Sequence, residues 1–242
     1  MMKRRFLVLP SVLAVVAACS GGADQQASDS SVVAAAPTAN SIDLRASDFS
    51  FEAPDTTTAG PTWIRMTNTG KEFHHVIVVH IDSGHTVDEF LKNFSDKTPP
   101  PSWAHILGGP IAPSPAGAAT STALDLMPGK YALICVVPSA DGVPHVAKGM
   151  VREMTVTAPA AAAAAAPITP TTTLTLSDYS FTASSPLTAG KNIIRVVNTA
   201  SQPHEVVIVR IFAGRTVGDV AAFGEKPEGP PPGEVVGGAS FV

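Results

Sequence analysis

The sequence predicts an all-β chain made of two copies of one β-sandwich, with one short inserted helix per copy and the second copy incomplete at its C-terminus. Three observations predict this. Short β-branched or alternating apolar runs are punctuated by 22 prolines and 19 glycines in 242 residues, a density that suits turns between strands. Ser47 to Val87 aligns without a gap on Ser177 to Val217, with 19 of 41 positions identical, so the architecture is repeated. One strong helix start, the capping box Thr86-Val-Asp-Glu89, lies at the end of that repeat and is followed by Phe90, Leu91 and Phe94 on one apolar face.

In chain order, residues 1–18 read as a signal peptide: Lys3, Arg4 and Arg5, then the apolar stretch Phe6 to Ala18. That stretch is short of the roughly 20 residues of a spanning helix. Val16-Ala17-Ala18-Cys19 resembles the lipobox of bacterial lipoproteins, which implies lipidation of Cys19 and a membrane anchor. Residues 19–40, rich in Ser, Ala, Gly and Asp, read as a disordered tether. The first copy is placed at 41–157, with strands at Ile42–Leu44, Phe49–Phe51, Trp63–Thr67, Val76–Ile81, Ala123–Leu126, Tyr131–Val137 and Val151–Val156. Residues 158–170, seven alanines between Pro159 and Pro167, read as a spacer. The partial second copy occupies 171–242; its Gly238 is matched to Gly109, after which the first copy continues to about Thr157, so the sequence reads as a fragment. These assignments place the chain in the cell envelope, lipid-anchored and facing the periplasm or the outer surface.

With the leader removed the net charge falls from -4 to about -7, which excludes a basic nucleic-acid-binding surface as the main function. Cys135 is then the one cysteine of the mature globular part, in a compartment that oxidises free thiols. Around it, in sequence, stand soft and imidazole donors: His74 and His75 at the start of a strand, His145 after Cys135, and Met150. Thiolate, imidazole and thioether together suit copper, and a His₂Cys set with a weak axial Met is an electron-transfer site. A core role for Cys135 and Met150 is the plain alternative, since both residue types pack well.

Asn68-Thr-Gly-Lys-Glu-Phe-His74, Val76-Ile-Val, and later Pro128-Gly-Lys-Tyr131, Cys135, His145 and Gly149-Met150 resemble the cupredoxins of the plastocyanin, auracyanin and rusticyanin types. The resemblance covers about Ser41 to Thr157, with a partial copy from Thr171. It implies a cupredoxin-like β-sandwich and one type 1 copper held by His74, Cys135, His145 and Met150, with His145 nearest the surface as the electron exit. His75 is the alternative early ligand; His74 is favoured because His204 aligns with it, while Glu205 aligns with His75. The nine residues between Cys135 and His145 exceed the spacing of the single-domain members. The second copy has His204 but no cysteine, second histidine or methionine. His80, His85 and His105 read as surface or loop residues.

The enzymes that this resemblance includes use His-x-His pairs and a histidine beside the ligand cysteine; here Cys135 lies between Ile134 and Val136 and no such pair exists. No phosphate loop, zinc-protease helix or nucleophile elbow occurs. The expectation is a non-enzymatic, membrane-tethered copper protein that passes single electrons to a redox partner protein. A copper carrier or sequestering protein and a metal-free binding module of the same fold are the other two readings.

Overall fold

A computed structural model describes residues 38–94, 98–112, 119–159, 166–226 and 228–242. The expected signal peptide, Cys19, nearly all of the tether and most of the alanine run lie outside these residues. Among the described residues no helix is long and apolar enough to cross a membrane.

Residues 40–157 contain β1 (Asn40–Ser47), β2 (Ser50–Glu52), β3 (Thr56–Thr58), β4 (Gly60–Asn68), β5 (His74–His75), β6 (Ile77–Ile81), α1 (Val87–Asn93), β7 (Ala104–Ala112), β8 (Ala119–Leu126), β9 (Gly129–Ile134), a 3₁₀ turn (His145–Lys148) and β10 (Val151–Thr157). β11 (Thr172–Ser177), β12 (Ser180–Ala183), β13 (Ile194–Asn198), β14 (Val206–Ile211), α2 (Val217–Glu225) and β15 (Gly233–Ser240) follow. The architecture is the all-β sandwich that the resemblance implies. One sheet runs β2-β1-β4-β8, and the facing sheet includes β7-β6-β9-β10-β3.

Side-chain alternation decides what each strand buries. β1 turns Ile42, Leu44 and Ala46 inward, and β4 turns Ile64 and Met66 to meet them. β9 and β6 are buried on both faces, which is why they read as nearly continuous apolar runs. Tyr131, Leu133 and Cys135 face the core between the sheets with Val76 and Val78. Ala132 and Ile134 face the opposite way with Ile77, Val79 and Ile81, onto Val87 and Phe90 of α1. The helix therefore caps the outer face of the second sheet. Its capping box forms as expected: Glu89 N–H donates to Thr86 Oγ1 at 3.1 Å, and Thr86 N–H donates to Glu89 Oε2 at 3.0 Å.

The structure adds strands to those expected. β7 runs through Gly108-Gly109-Pro110, which as a sequence punctuates a loop rather than a strand. Here Pro110 offers its carbonyl to Val76 N–H at 3.0 Å, and Gly109 brings β7 against the Val76 backbone. In residues 171–242, β11 pairs antiparallel with β12 and parallel with β13, the same pattern as β1 with β2 and β4. β15 then joins the edge of β7, opposing Ala239 to Pro110 and Ser240 to Gly109, so that edge does not end in open backbone groups.

Tyr131 is fully buried, and its hydroxyl donates to the Met127 carbonyl at 2.8 Å. Burial raises its pKa above the ordinary phenol value near 10. Up to about pH 10 both folded and unfolded chains keep the proton; above it the unfolded chain releases it first, so stability falls as pH rises. Urea unfolding at pH 8 and pH 11 checks this: Tyr131→Phe should lose less stability than the unmodified protein over that interval.

Candidate metal centre

Local folding brings the four expected residues to one end of the inter-sheet core. Cys135 follows β9 two positions after Leu133 and so shares its inward face. His74 and His75 are adjacent in β5 and point to opposite sides. His74 enters the core end; His75 lies against Phe241, with ring centroids 6.2 Å apart, and its Nε2 accepts from Val136 N–H at 3.1 Å. Burial, with the neighbouring His145 and His74, lowers the His75 pKa to about 4, so the ring is neutral near pH 7.

The nine residues between Cys135 and His145 make a small hairpin of their own. Pro138 and Pro144 form an isolated antiparallel bridge, and Ser139 N–H donates to the Val143 carbonyl at 3.0 Å. Asp141 accepts from Val143 N–H at 3.0 Å and from Lys148 Nζ at 2.8 Å. The base of the hairpin closes through His145 N–H to Val137 O (2.9 Å) and Val146 N–H to Cys135 O (2.7 Å), which returns His145 to the cysteine. The 3₁₀ turn ends at Gly149, at φ 99°, a conformation in which a Cβ costs roughly 1–2 kcal/mol. This turns the chain so that Met150 N–H donates to the His145 carbonyl at 3.0 Å and Cys135 N–H to the Met150 carbonyl at 3.3 Å.

His74, Cys135 and His145 place their donor atoms within 4.8 Å of one another, and all three are buried. His74 Nδ1 lies 3.1 Å from His145 Nδ1, and Cys135 Sγ lies 3.5 Å from the same His145 nitrogen. Met150 is fully buried in the same core cluster. Both Nε2 atoms face carboxylates instead: His74 with Asp48 at 3.2 Å, His145 with Glu72 at 2.8 Å. A proton held at Nε2 by a carboxylate leaves the lone pair at Nδ1, so both rings present acceptor nitrogens beside the sulfur.

These two carboxylates are the residues that reading for donors missed. Asp48 was visible only as a landmark of the repeat, and in the second copy Asp178 again stands 3.5 Å from His204. Burial raises the Asp48 pKa, but N–H groups of Glu72 and Lys71 and the His74 ring outweigh it and hold the carboxyl below its usual value. Gly70 leaves the space for this contact: a Cβ there would collide with Asp48 Oδ1 and lie 2.9 Å from His74 Nε2. Phe49, at φ 67° in the turn after β1, sets its ring edge-on to His145 at 5.2 Å. Backbone strain of this kind gathers at functional sites.

The His145 side chain, the expected electron exit, is fully buried beneath Phe49 and Glu72, and Glu72 reaches solvent beside it, at 38% exposure. Burial also lowers the His74 pKa, against the hydrogen bond to Asp48. It pushes the Cys135 thiol up to about 11, against backbone N–H groups of His75 and Val137.

No family model matches the chain, and no curated protein does. Solved structures do match. The chain is similar to auracyanin A, a "blue" copper protein from the green thermophilic photosynthetic bacterium Chloroflexus aurantiacus, at 18% identity over 48% of this chain and 97% of that one, with a TM-score of 0.32. It is similar to reduced rusticyanin at 20% identity over 48% of this chain and 77% of that one, TM-score 0.31. It is also similar to a copper-containing nitrite reductase from Thermus scotoductus at 10% identity over 85% of this chain and 55% of that one, TM-score 0.28.

Proposed function

We propose that the chain is a lipid-anchored protein of the cell envelope that holds one copper ion on His74, Cys135, His145 and Met150 and passes single electrons to a partner protein. The observation that carries this reading is the meeting of two Nδ1 atoms and one thiol sulfur in a buried pocket, each ring backed by its own carboxylate. Two imidazoles, a thiolate and a thioether are the donor set that soft, one-electron copper chemistry requires, and copper bound there supplies a Cu(I)/Cu(II) couple.

The chain's residues each have a part in that reading. Asp48 and Glu72 hold protons at the outer ring nitrogens and so fix which nitrogen faces inward. Cys135 keeps its proton in the free protein and yields it only to a cation, since ligation deprotonates a thiol outright. Val76, Leu133 and Met150 are buried in the same apolar cluster as Cys135, which gives the thiol a dry core side. The way out for an electron runs from His145 to solvent beside Glu72. Complete burial of His74, Cys135, His145 and Met150 favours a resident ion over a carried one, because a carrier must surrender its cargo through exchange with incoming ligands. The N-terminal segment, with its lipobox resemblance and tether, supports the envelope address.

Titration of the full chain with Cu(II), followed by absorption, tests the reading. The expected result is one intense thiolate-to-copper band that saturates at one equivalent and bleaches reversibly on reduction. Absence of that band at any copper concentration would overturn it.

A further inference from the structure

We propose a second metal site at the other end of the same sheet, in which His80, Asp82 and His105 bind a late first-row divalent cation, Cu(II) or Zn(II). It does not depend on the copper centre. Along β9, Tyr131 opposes His80, and Cys135 lies four residues further on, about 13 Å at 3.3 Å per residue. The two groups therefore share no ligand.

Strand geometry assembles the three side chains. His80 and Asp82 are two positions apart at the end of β6 and share a face, while His105 on β7 is the direct cross-strand partner of His80. Their donor atoms lie within 4.8 Å of one another. Asp82 Oδ1 is 3.1 Å from His105 Nε2 and 3.8 Å from His80 Nδ1, and the two imidazoles stack with centroids 5.8 Å apart. These separations match neighbouring ligands around one ion with bonds of roughly 2.0–2.2 Å.

His80 is held for this task. Gly129 leaves room for its ring; a Cβ at that position would strike His80 Nε2 and stand 3.0 Å from Cδ2. Tyr131 packs on the ring at 5.0 Å. The Nε2 edge is thus turned into the sheet, leaving Nδ1 toward Asp82. His80 is 22% exposed, whereas Asp82 and His105 are about half exposed, so an ion can enter from solvent and keep water on its remaining positions. Two imidazoles and one carboxylate suit zinc and copper, with Cu(II) the tighter of the two. On binding, the cation takes the lone pair of His105 Nε2 in the neutral tautomer that carries its proton on Nδ1, and an oxygen of the Asp82 carboxylate.

The full chain, stripped with a chelator, is titrated with Zn(II) by calorimetry and with Cu(II) by electron paramagnetic resonance. The expected Cu(II) result is a colourless equivalent with wide hyperfine splitting, separate from any thiolate band. His105→Ala and Asp82→Asn, both at exposed positions, should each weaken that equivalent and the matching Zn(II) uptake about tenfold or more while leaving the thiolate band in place. His85→Ala, which removes the neighbouring histidine stacked on Trp103, should change neither. Unchanged uptake in both His105→Ala and Asp82→Asn would overturn the site, as would its loss in His85→Ala. Because the readout is a colourless signal, it is distinguishable from failure of the copper centre, which reads in the thiolate band.

Discussion

Cys135→Ser is expected to abolish the intense absorption of the copper-loaded protein and the thermal stabilisation conferred by copper at that centre. Among the described residues Cys135 is the one thiol, and its sulfur lies 3.5 Å from His145 Nδ1, so a thiolate-to-copper band at this centre must come from it. Serine is nearly the same size and leaves the sandwich packed, but its hydroxyl stays protonated and is a poor copper ligand. An ion that binds only the folded state at 1,000 times its dissociation constant adds about 4 kcal/mol. Most of that increment should vanish, while the metal-free variant loses only about 1–3 kcal/mol for placing a hydroxyl where a thiol packed. Melting with and without Cu(II), measured in a His105→Ala background so that one centre is read, gives both numbers. A blue Cys135→Ser protein would falsify the ligand assignment.

The parts of this protein that were legible in the sequence are those written in local pattern. Alternation placed β1, β4 and β10, continuous apolar runs placed β6 and β9, and the capping box placed α1. Donor type and order singled out His74, Cys135, His145 and Met150, and alternation within β5 explains why His74 and His75 part company. Distance in the chain hid the rest. Asp48 is 26 residues from His74 and Glu72 is 73 from His145, so no local window contains either pair. The hairpin after Cys135 is partly legible, since Pro138, Asp141-Gly142 and Pro144 mark a turn able to return His145, but the Pro138–Pro144 bridge that closes it is a contact no spacing shows. His80 and His105 read as separate surface residues because only the β6–β7 register sets them opposite one another.

Gly109→Ala is expected to destabilise the fold by about 2–3 kcal/mol, the upper part of the range for overpacking a closed interior, and to weaken copper binding with it. Gly109 does not occupy a left-handed conformation; what it lacks is the Cβ. A Cβ there would collide with the Val76 carbonyl oxygen and stand 3.2 Å from the carbonyl carbon, so backbone rather than a flexible side chain would have to yield. Val76 follows the two histidines of β5 and donates its N–H to Pro110 at 3.0 Å, so moving β7 outward pulls directly on the segment that holds His74. A Cβ on Gly238 would likewise collide with the Val206 carbonyl oxygen, and it would also stand 3.1 Å from Ile111 Cδ1. Gly238→Ala should therefore lower stability and disturb the thiolate band less than Gly109→Ala does, because its Cβ meets the Val206 backbone and only the flexible end of Ile111 on β7, not the backbone next to His74. Urea midpoints and the copper spectrum of both variants separate the two effects. A Gly109→Ala protein with unchanged midpoint and spectrum would show that β7 can shift without moving His74, and the coupling between that strand and the centre would be lost.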